Sequence, residues 1–315
     1  MIKPMDCLAD SSTPSSTLQR TSLGLVAALF CASLLLASCT EGSGSPPDAP
    51  PDVDMRMMDY AFAVPDSVPS GWVTFQMKNR GEETHEFVLA RLPGDKSFGE
   101  FYEAYITPMD SLEQLRIEGT IGASEYQKAA KQILPKWIGK LEGAGGGGLL
   151  GPGQSGEVTL NLEPGEYAMV CFIKSPNKRS HAYQGMARPL VVTDDSSGAS
   201  PPTADVQITS MGTDVAIEGT FEARPQTASF HVSDTTGEDA EPHSSVYIAP
   251  MNTEKQRELM KNREENIHAI GYLNGVLGVP EGETGYMTND LSSGRYALVL
   301  ARGEEKDIVK EIEVE

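Results

Sequence analysis

Residues 145–172 read GGGGLLGPGQSGEVTLNLEPGEYAMVCF, and residues 274–301 read NGVLGVPEGETGYMTNDLSSGRYALVLA. Aligning Tyr167 with Tyr296 places Gly165 on Gly294, Leu162 on Leu291, Thr159 on Thr288 and Gly156 on Gly285. Upstream, with two extra residues allowed in the second copy, Leu149-Leu150-Gly151 meets Val276-Leu277-Gly278. Further back, His85-Glu86-Phe87-Val88-Leu89-Ala90 meets His243-Ser244-Ser245-Val246-Tyr247-Ile248, which sets His243 opposite His85. Several similar stretches in one order point to an internal duplication. Val158-Thr159-Leu160-Asn161-Leu162 alternates apolar and polar residues, the period of a half-buried strand. Pro164-Gly165 and Ser293-Gly294 supply tight turns.

Outward from these segments the first copy reads as short strands over 53–63, 71–79, 86–92, 156–162, 165–174 and 188–193. Helical patterns cover 98–118 and 125–141, broken into shorter pieces at Pro108 and Pro135. A third covers 253–270 in the second copy. The expected fold class is mainly β, two β-sandwiches in tandem with helical insertions. Asp194 to Ala204, DDSSGASPPTA, reads as a Pro/Ser/Gly linker. The expected organisation is a signal over 1–38, a tether over 39–52, a first sandwich over 53–193, a linker over 194–203 and a second sandwich over 204–315. The length of 315 residues suits two domains. Apolar residues at 39% and charged residues at 22% allow real cores. A net charge of −20 argues against nucleic acid as a partner, because phosphate binding needs basic surface.

The N-terminus reads as an address. Residues 23–37, LGLVAALFCASLLLA, form an apolar run too short for a comfortable membrane span, with Arg20 just before it. Its end, Leu36-Ala37-Ser38-Cys39, resembles a bacterial lipobox. That resemblance implies cleavage before Cys39, lipidation of Cys39 and an exported protein held at a membrane by its acyl chains, on the outer-membrane or periplasmic face or the cell surface. An uncleaved N-terminal anchor is the other reading. Cys7 and Cys31 would leave with the signal, so Cys171 is the one cysteine of the folded part. A lone thiol in an oxidising compartment is buried, reactive or a metal ligand.

One constellation carries chemistry: His85, Cys171, His181 and Met186. Asn79-Arg80-Gly81 precedes His85; Tyr167-Ala168-Met169-Val170-Cys171-Phe172 reads as the penultimate strand; His181-Ala182-Tyr183-Gln184-Gly185-Met186 precedes the last. The order His, Cys, His, Met on these elements resembles the cupredoxin, or blue-copper, family over roughly residues 53–193. The resemblance implies Greek-key sandwiches and one copper ion in the first domain, held by His85, Cys171, His181 and Met186. Independently of it, copper cycling between Cu(I) and Cu(II) suits a soft thiolate, two imidazoles and a weak thioether.

The Cys171-to-His181 interval is longer than in familiar members of that family, and such slack adds entropy cost and loosens geometry. The second copy offers an internal comparison. Cys171 aligns with Leu300, and no His or Met follows before the last strand, so this loop is not demanded by the fold. Taken singly, Cys171 suits a buried strand position, His85 a surface or capping role and Met186 the core. Met55 and Met57 share one face of a strand and read as core rather than as a Cu(I) site.

His85-Glu86-Phe87-Val88-Leu89 lacks the second His of a zinc-protease motif, and Gly145–Gly148 lacks the Lys-Ser/Thr of a phosphate loop. The expected function is a membrane-tethered copper-binding protein that transfers single electrons, with a redox protein as its partner, or holds copper. It is not read as an enzyme, since outer-sphere transfer needs no substrate pocket. A metal-free interaction module is the alternative.

Overall fold

The computed structural model describes residues 49–211, 214–233, 243–301 and 307–315. The expected signal, the expected lipidation site Cys39 and residues 39–48 of the tether lie outside the described residues. Among the described residues, no helix is long and apolar enough to cross a membrane. The protein is mainly β. Its strands are β1 (Asp52–Met58), β2 (Ala61–Ala63), β3 (Ser67–Asn79), β4 (His85–Arg91), β5 (Glu142–Leu150), β6 (Ser155–Leu162), β7 (Gly165–Val170) and β8 (Ala187–Ser196) in the first half. The second half holds β9 (Val206–Met211), β10 (Asp214–Glu218), β11 (Pro225–Val232), β12 (His243–Pro250), β13 (Asn274–Pro280), β14 (Thr284–Asp290), β15 (Gly294–Ala301) and β16 (Ile308–Val314).

These strands form two facing layers that both run through the whole unit. One layer has the order β2-β1-β3-β6-β14-β11-β9-β10, the other β8-β7-β4-β5-β13-β12-β15-β16, with the start of β3 pairing with β8. Read inward from either end, each order repeats the same pairing scheme. The halves meet where β6 pairs with β14 and β5 with β13. At those seams Val158 faces Met287 and Gly147 faces Val276, residues that occupy the same place in the two aligned segments. The same side-chain detail recurs. The Tyr167 hydroxyl donates to the Glu163 carbonyl at 2.7 Å, and Tyr296 donates to Ser292 at 2.8 Å.

Alternating burial along the strands gives one continuous core between the layers. Met55 and Met57 are part of it, as their shared face predicts. Phe75 of one layer and Phe87 of the other pack with ring centroids 5.1 Å apart. The Gly-rich run forms β5, a strand that Gly/Pro punctuation had hidden. A Cβ on Gly146 would lie 2.1 Å from the Phe87 carbonyl oxygen of the neighbouring strand, and one on Gly147 2.5 Å from Val158 of the facing layer, so bare backbone is what fits there.

Strand pairing corrects two sequence alignments. Val88 and Leu89 of β4 face Val170 and Met169, while Tyr247 and Ile248 of β12 face Val299 and Leu298, the counterparts of those two. Tyr247 is therefore the counterpart of Val88, and Ser244, not His243, that of His85. His85 pairs with Leu150 and Ser244 with Val279, so the second copy has a serine at the register position of His85. Nor is a two-residue gap needed upstream. Leu149 and Gly278 share the left-handed backbone conformation, with φ 43° and 57°, and are counterparts.

The helical insertion between β4 and β5 also differs from expectation. Residues 98–117 form one continuous helical rod: α1 (Phe98–Phe101), a wide π-type turn over Tyr102–Ile106 and α2 (Thr107–Ile117). Pro108 does not break it. The wide turn, in which the Thr107 amide reaches back to the Tyr102 carbonyl, absorbs the missing proline donor. Pro135 does terminate α3 (Ala123–Ile133). In the second half α4 (Glu254–Lys261) stops well short of residue 270.

Candidate metal centre

His85, the first residue of β4, Cys171, just past the end of β7, and His181, at the start of a short turn before β8, meet in the first half. All three are fully buried. His85 Nδ1 lies 3.1 Å from His181 Nδ1, and Cys171 Sγ lies 3.4 Å from His181 Nδ1. One donor atom from each residue falls within 4.8 Å of the other two. Met186 is also fully buried, and its backbone closes the loop: Cys171 N–H donates to the Met186 carbonyl at 3.0 Å, and Met186 N–H to His181 at 2.9 Å.

Both imidazoles turn their other nitrogen onto a carboxylate. His85 Nε2 is 2.6 Å from Asp59 Oδ1, and His181 Nε2 is 2.8 Å from Glu83 Oε2. An ionised carboxylate only accepts, so each Nε2 carries the ring proton. Both Nδ1 lone pairs are then aimed at each other and at the thiol. The Cys171 S–H can satisfy one of them, not both. A shared cation resolves that arrangement, because it accepts all three donors at once. Metal bonds of about 2.0 Å to nitrogen and about 2.3 Å to sulfur would set such donors roughly 3.4–3.8 Å apart. The two spacings to His181 Nδ1, 3.1 and 3.4 Å, fall a few tenths of an ångström short of that, within side-chain adjustment. The donor set, two imidazoles and a thiolate with a thioether sulfur on the same loop, fits copper.

Local backbone chemistry explains why these side chains converge. Asn79, fully buried, donates from Nδ2 to the carbonyls of Glu83 and Leu150, both at 2.7 Å, and accepts from Gly81 N–H at 2.8 Å. That staple folds residues 79–84 so that Glu83 and His85 both face the site. Gly81 makes room: a Cβ there would lie 2.2 Å from Asp59 Oδ1 and 2.6 Å from His85 Nε2. Gly81→Ala is expected to part the Asp59–His85 pair and destabilise the protein by about 1–3 kcal/mol, read as a lower denaturant midpoint. An unchanged midpoint would mean the loop moves aside freely.

The long Cys171-to-His181 interval is not slack. Lys174 and Ser180 pair as an antiparallel bridge, Ser175 N–H donates to Arg179 at 3.0 Å, and Lys178 N–H to Ser175 at 2.7 Å. This small hairpin is fastened to α2. Arg179 makes a two-pronged contact with Asp110, at 2.8 and 2.7 Å, and buried Glu113 accepts from Ser180 N–H at 2.8 Å and pairs with Lys174 Nζ at 3.1 Å. The expected loosening is thus corrected: the helical insertion takes up the entropy that the loop would otherwise carry.

The second half reaches the same place through His268. Its Nδ1 accepts from Thr84 N–H at 3.0 Å and its Nε2 donates to the Lys174 carbonyl at 2.8 Å. Its ring lies parallel to that of His181, with centroids 6.0 Å apart. Glu83, His181 and His268 also approach closely enough for a metal ion. With both nitrogens of His268 engaged by backbone, His268 is a clasp between the two ligand-bearing loops rather than a ligand.

Burial shapes the protonation states. It holds His85 below the usual imidazole range, against the raising effect of Asp59, and pushes His181 down to about 4, against Glu83. Burial pushes the Cys171 thiol up. In the metal-free protein, His181 is therefore neutral while an unfolded chain still protonates near pH 6.5. The unfolded state binds the proton first as pH falls, so stability drops from about pH 6.5 towards pH 4, by about 2 kcal/mol. Denaturant melts of metal-free protein at pH 7 and pH 4.5 check this; equal stabilities would contradict it.

Sequence reasoning missed Asp59, Glu83 and His268. Glu83 stands two positions before His85, a readable hint; Asp59 and His268 carry no local signal, since a β1–β2 turn and the other half of the chain bring them in.

The chain matches no protein-family profile and no curated protein. Solved structures do resemble it. Dithionite-reduced auracyanin from the photosynthetic bacterium Roseiflexus castenholzii matches 47% of this chain and 99% of its own at 18% identity, with TM-score 0.26. Auracyanin A, a blue copper protein from Chloroflexus aurantiacus, matches 45% of this chain and 99% of its own at 17% identity, with TM-score 0.27. The copper-containing nitrite reductase of Thermus scotoductus SA-01 matches 85% of this chain but 62% of its own at 11% identity, with TM-score 0.22. Identities and TM-scores are low in all three.

Proposed function

We propose that this is an exported, lipid-anchored protein of two tandem cupredoxin-like sandwiches whose first half binds one copper ion and carries single electrons or holds copper. One observation supports the reading above all others. Two Nδ1 atoms and a thiol sulfur converge in a fully buried cluster while both Nε2 atoms are tied to carboxylates. His85, Cys171 and His181 would hold the ion, and Met186, buried on the same loop, would offer a thioether as a further weak donor. Copper supplies a one-electron couple there. The chain supplies a site whose ligands are fixed beforehand by the Asn79 staple, the α2 anchor and the His268 clasp. A fixed ligand set reorganises little when charge changes, which favours outer-sphere transfer.

The second half supports this reading as scaffold: its seams with β5 and β6 and its His268 clasp brace the ligand loops, and Leu300 stands where the first half has Cys171. A cleft of about 290 Å³ lined by Arg91, Glu142, Tyr167 and Glu283 shares no residue with the cluster. Adding Cu(II) to the purified full chain tests the reading. One copper per chain and an intense thiolate-to-copper band in the visible spectrum are expected. Folded protein with no bound copper would leave a metal-free interaction module; copper without the band would leave a histidine site lacking the thiolate.

A further inference from the structure

The carboxylates behind the two imidazoles are themselves held in place. Asp59 accepts from Glu82 N–H at 2.8 Å and Glu83 N–H at 3.4 Å, and Glu83 accepts from the Tyr60 hydroxyl at 3.0 Å. The Asp59 and Glu83 side chains are 26% and 17% exposed, so water shields them only in part. We propose that Asp59 and Glu83 set the redox bias of this site, favouring the oxidised, more highly charged form of the bound copper.

This inference rests on the copper reading above. An electron arriving at the site adds negative charge beside a thiolate and two carboxylates, each one imidazole ring away. Like charges in a partly shielded place repel more strongly than in water. A carboxylate on the distal N–H of a ligating histidine also raises the basicity of the ligating nitrogen, which strengthens its bond to the more highly charged ion. Both effects act in one direction, so the pair lowers the reduction potential. The couple is a single electron passing from a reductant to Cu(II) to give Cu(I), with Cys171 remaining a thiolate and no proton moving.

Asp59→Asn and Glu83→Gln in the full chain test it. Each removes the charge and can keep one oxygen to accept from the histidine N–H, while the amide nitrogen takes the place of the oxygen that accepts from Glu82 N–H in Asp59 and from the Tyr60 hydroxyl in Glu83. Each is expected to bind one copper, keep the charge-transfer band and shift the ratio of Cu(II) to Cu(I) affinity at least tenfold towards Cu(I). That is a rise in potential of about 59 mV for one electron. Glu103→Gln, which removes an exposed charge on the helical insertion, is expected to leave the potential unmoved. Potentials equal to that of the unaltered protein in both variants, with copper and band intact, would overturn the proposal and spare the copper reading. A comparable rise in Glu103→Gln would also overturn it, by pointing to net charge rather than contact. An unaltered protein that binds no copper would remove the copper reading and this proposal together. Should a variant hold copper too weakly for voltammetry, competition with chelators gives the Cu(I) and Cu(II) dissociation constants separately. A loss falling mainly on Cu(II) supports the proposal; equal losses overturn it.

Discussion

Cys171→Ser is expected to abolish the thiolate-to-copper band of the loaded protein while leaving the chain folded. The sulfur is the one soft, ionisable donor of the cluster, and it is fully buried beside His181 Nδ1 at 3.4 Å. Burial raises its thiol, so the thiolate forms only against a cation that replaces the proton. Copper loading should therefore release a proton. A serine hydroxyl does not ionise under the same conditions and offers copper no soft donor. Losing a supporting residue around a metal typically costs 10–100-fold in affinity, and losing a direct ligand should exceed that, on the order of a hundredfold or more. The structural cost is smaller. The new hydroxyl can donate to His181 Nδ1 in the space of the S–H, which confines destabilisation to about 1–2 kcal/mol. Visible spectra and copper stoichiometry at matched concentrations, with a denaturant melt alongside, separate the two effects. A band that survives in Cys171→Ser would place the chromophore on other ligands.

The residues that converge were legible because their order along the chain is topological. Strand patterning set β4, β6 and β7, and the resemblance of the order His, Cys, His, Met to the cupredoxin family singled out the residues on them. What escaped reading is what depends on three-dimensional approach. The Gly145–Gly148 segment lacks the side chains by which a strand is recognised, yet it is the strand on which the halves join. The position of His243 was misjudged by one residue because similarity of letters does not report register; hydrogen-bonded pairing does. The rigidity of the Cys171–His181 loop was invisible because its fasteners, Asp110 and Glu113, sit on a helix sixty-odd positions upstream, where acidic residues read as solvated surface. The N-terminal anchor belongs to a different kind of inference, since it rests on the Leu36–Cys39 motif and not on packing.

Among those fasteners, Glu113 should matter most. Its carboxylate is almost wholly buried, accepts from Ser180 N–H at 2.8 Å and faces Lys174 Nζ at 3.1 Å and Arg116 at 3.8 Å. Ser180 is the residue before His181, so this bond sets the take-off of the second imidazole. Glu113→Ala leaves a buried amide without its acceptor and two cations without their partner, at an expected cost of about 3 kcal/mol. Lys174→Ala removes only the half-exposed end of the same pair and should cost under about 1 kcal/mol. The difference between the two isolates the amide bond and the packing around it. In the copper-loaded protein the same contrast should appear in the spectrum. Freeing Ser180 lets the His181 ring wander, which broadens and weakens the charge-transfer band, whereas Lys174→Ala leaves it sharp. If both variants melt alike and share an unaltered band, the hairpin holds itself, and α2 merely lies against it.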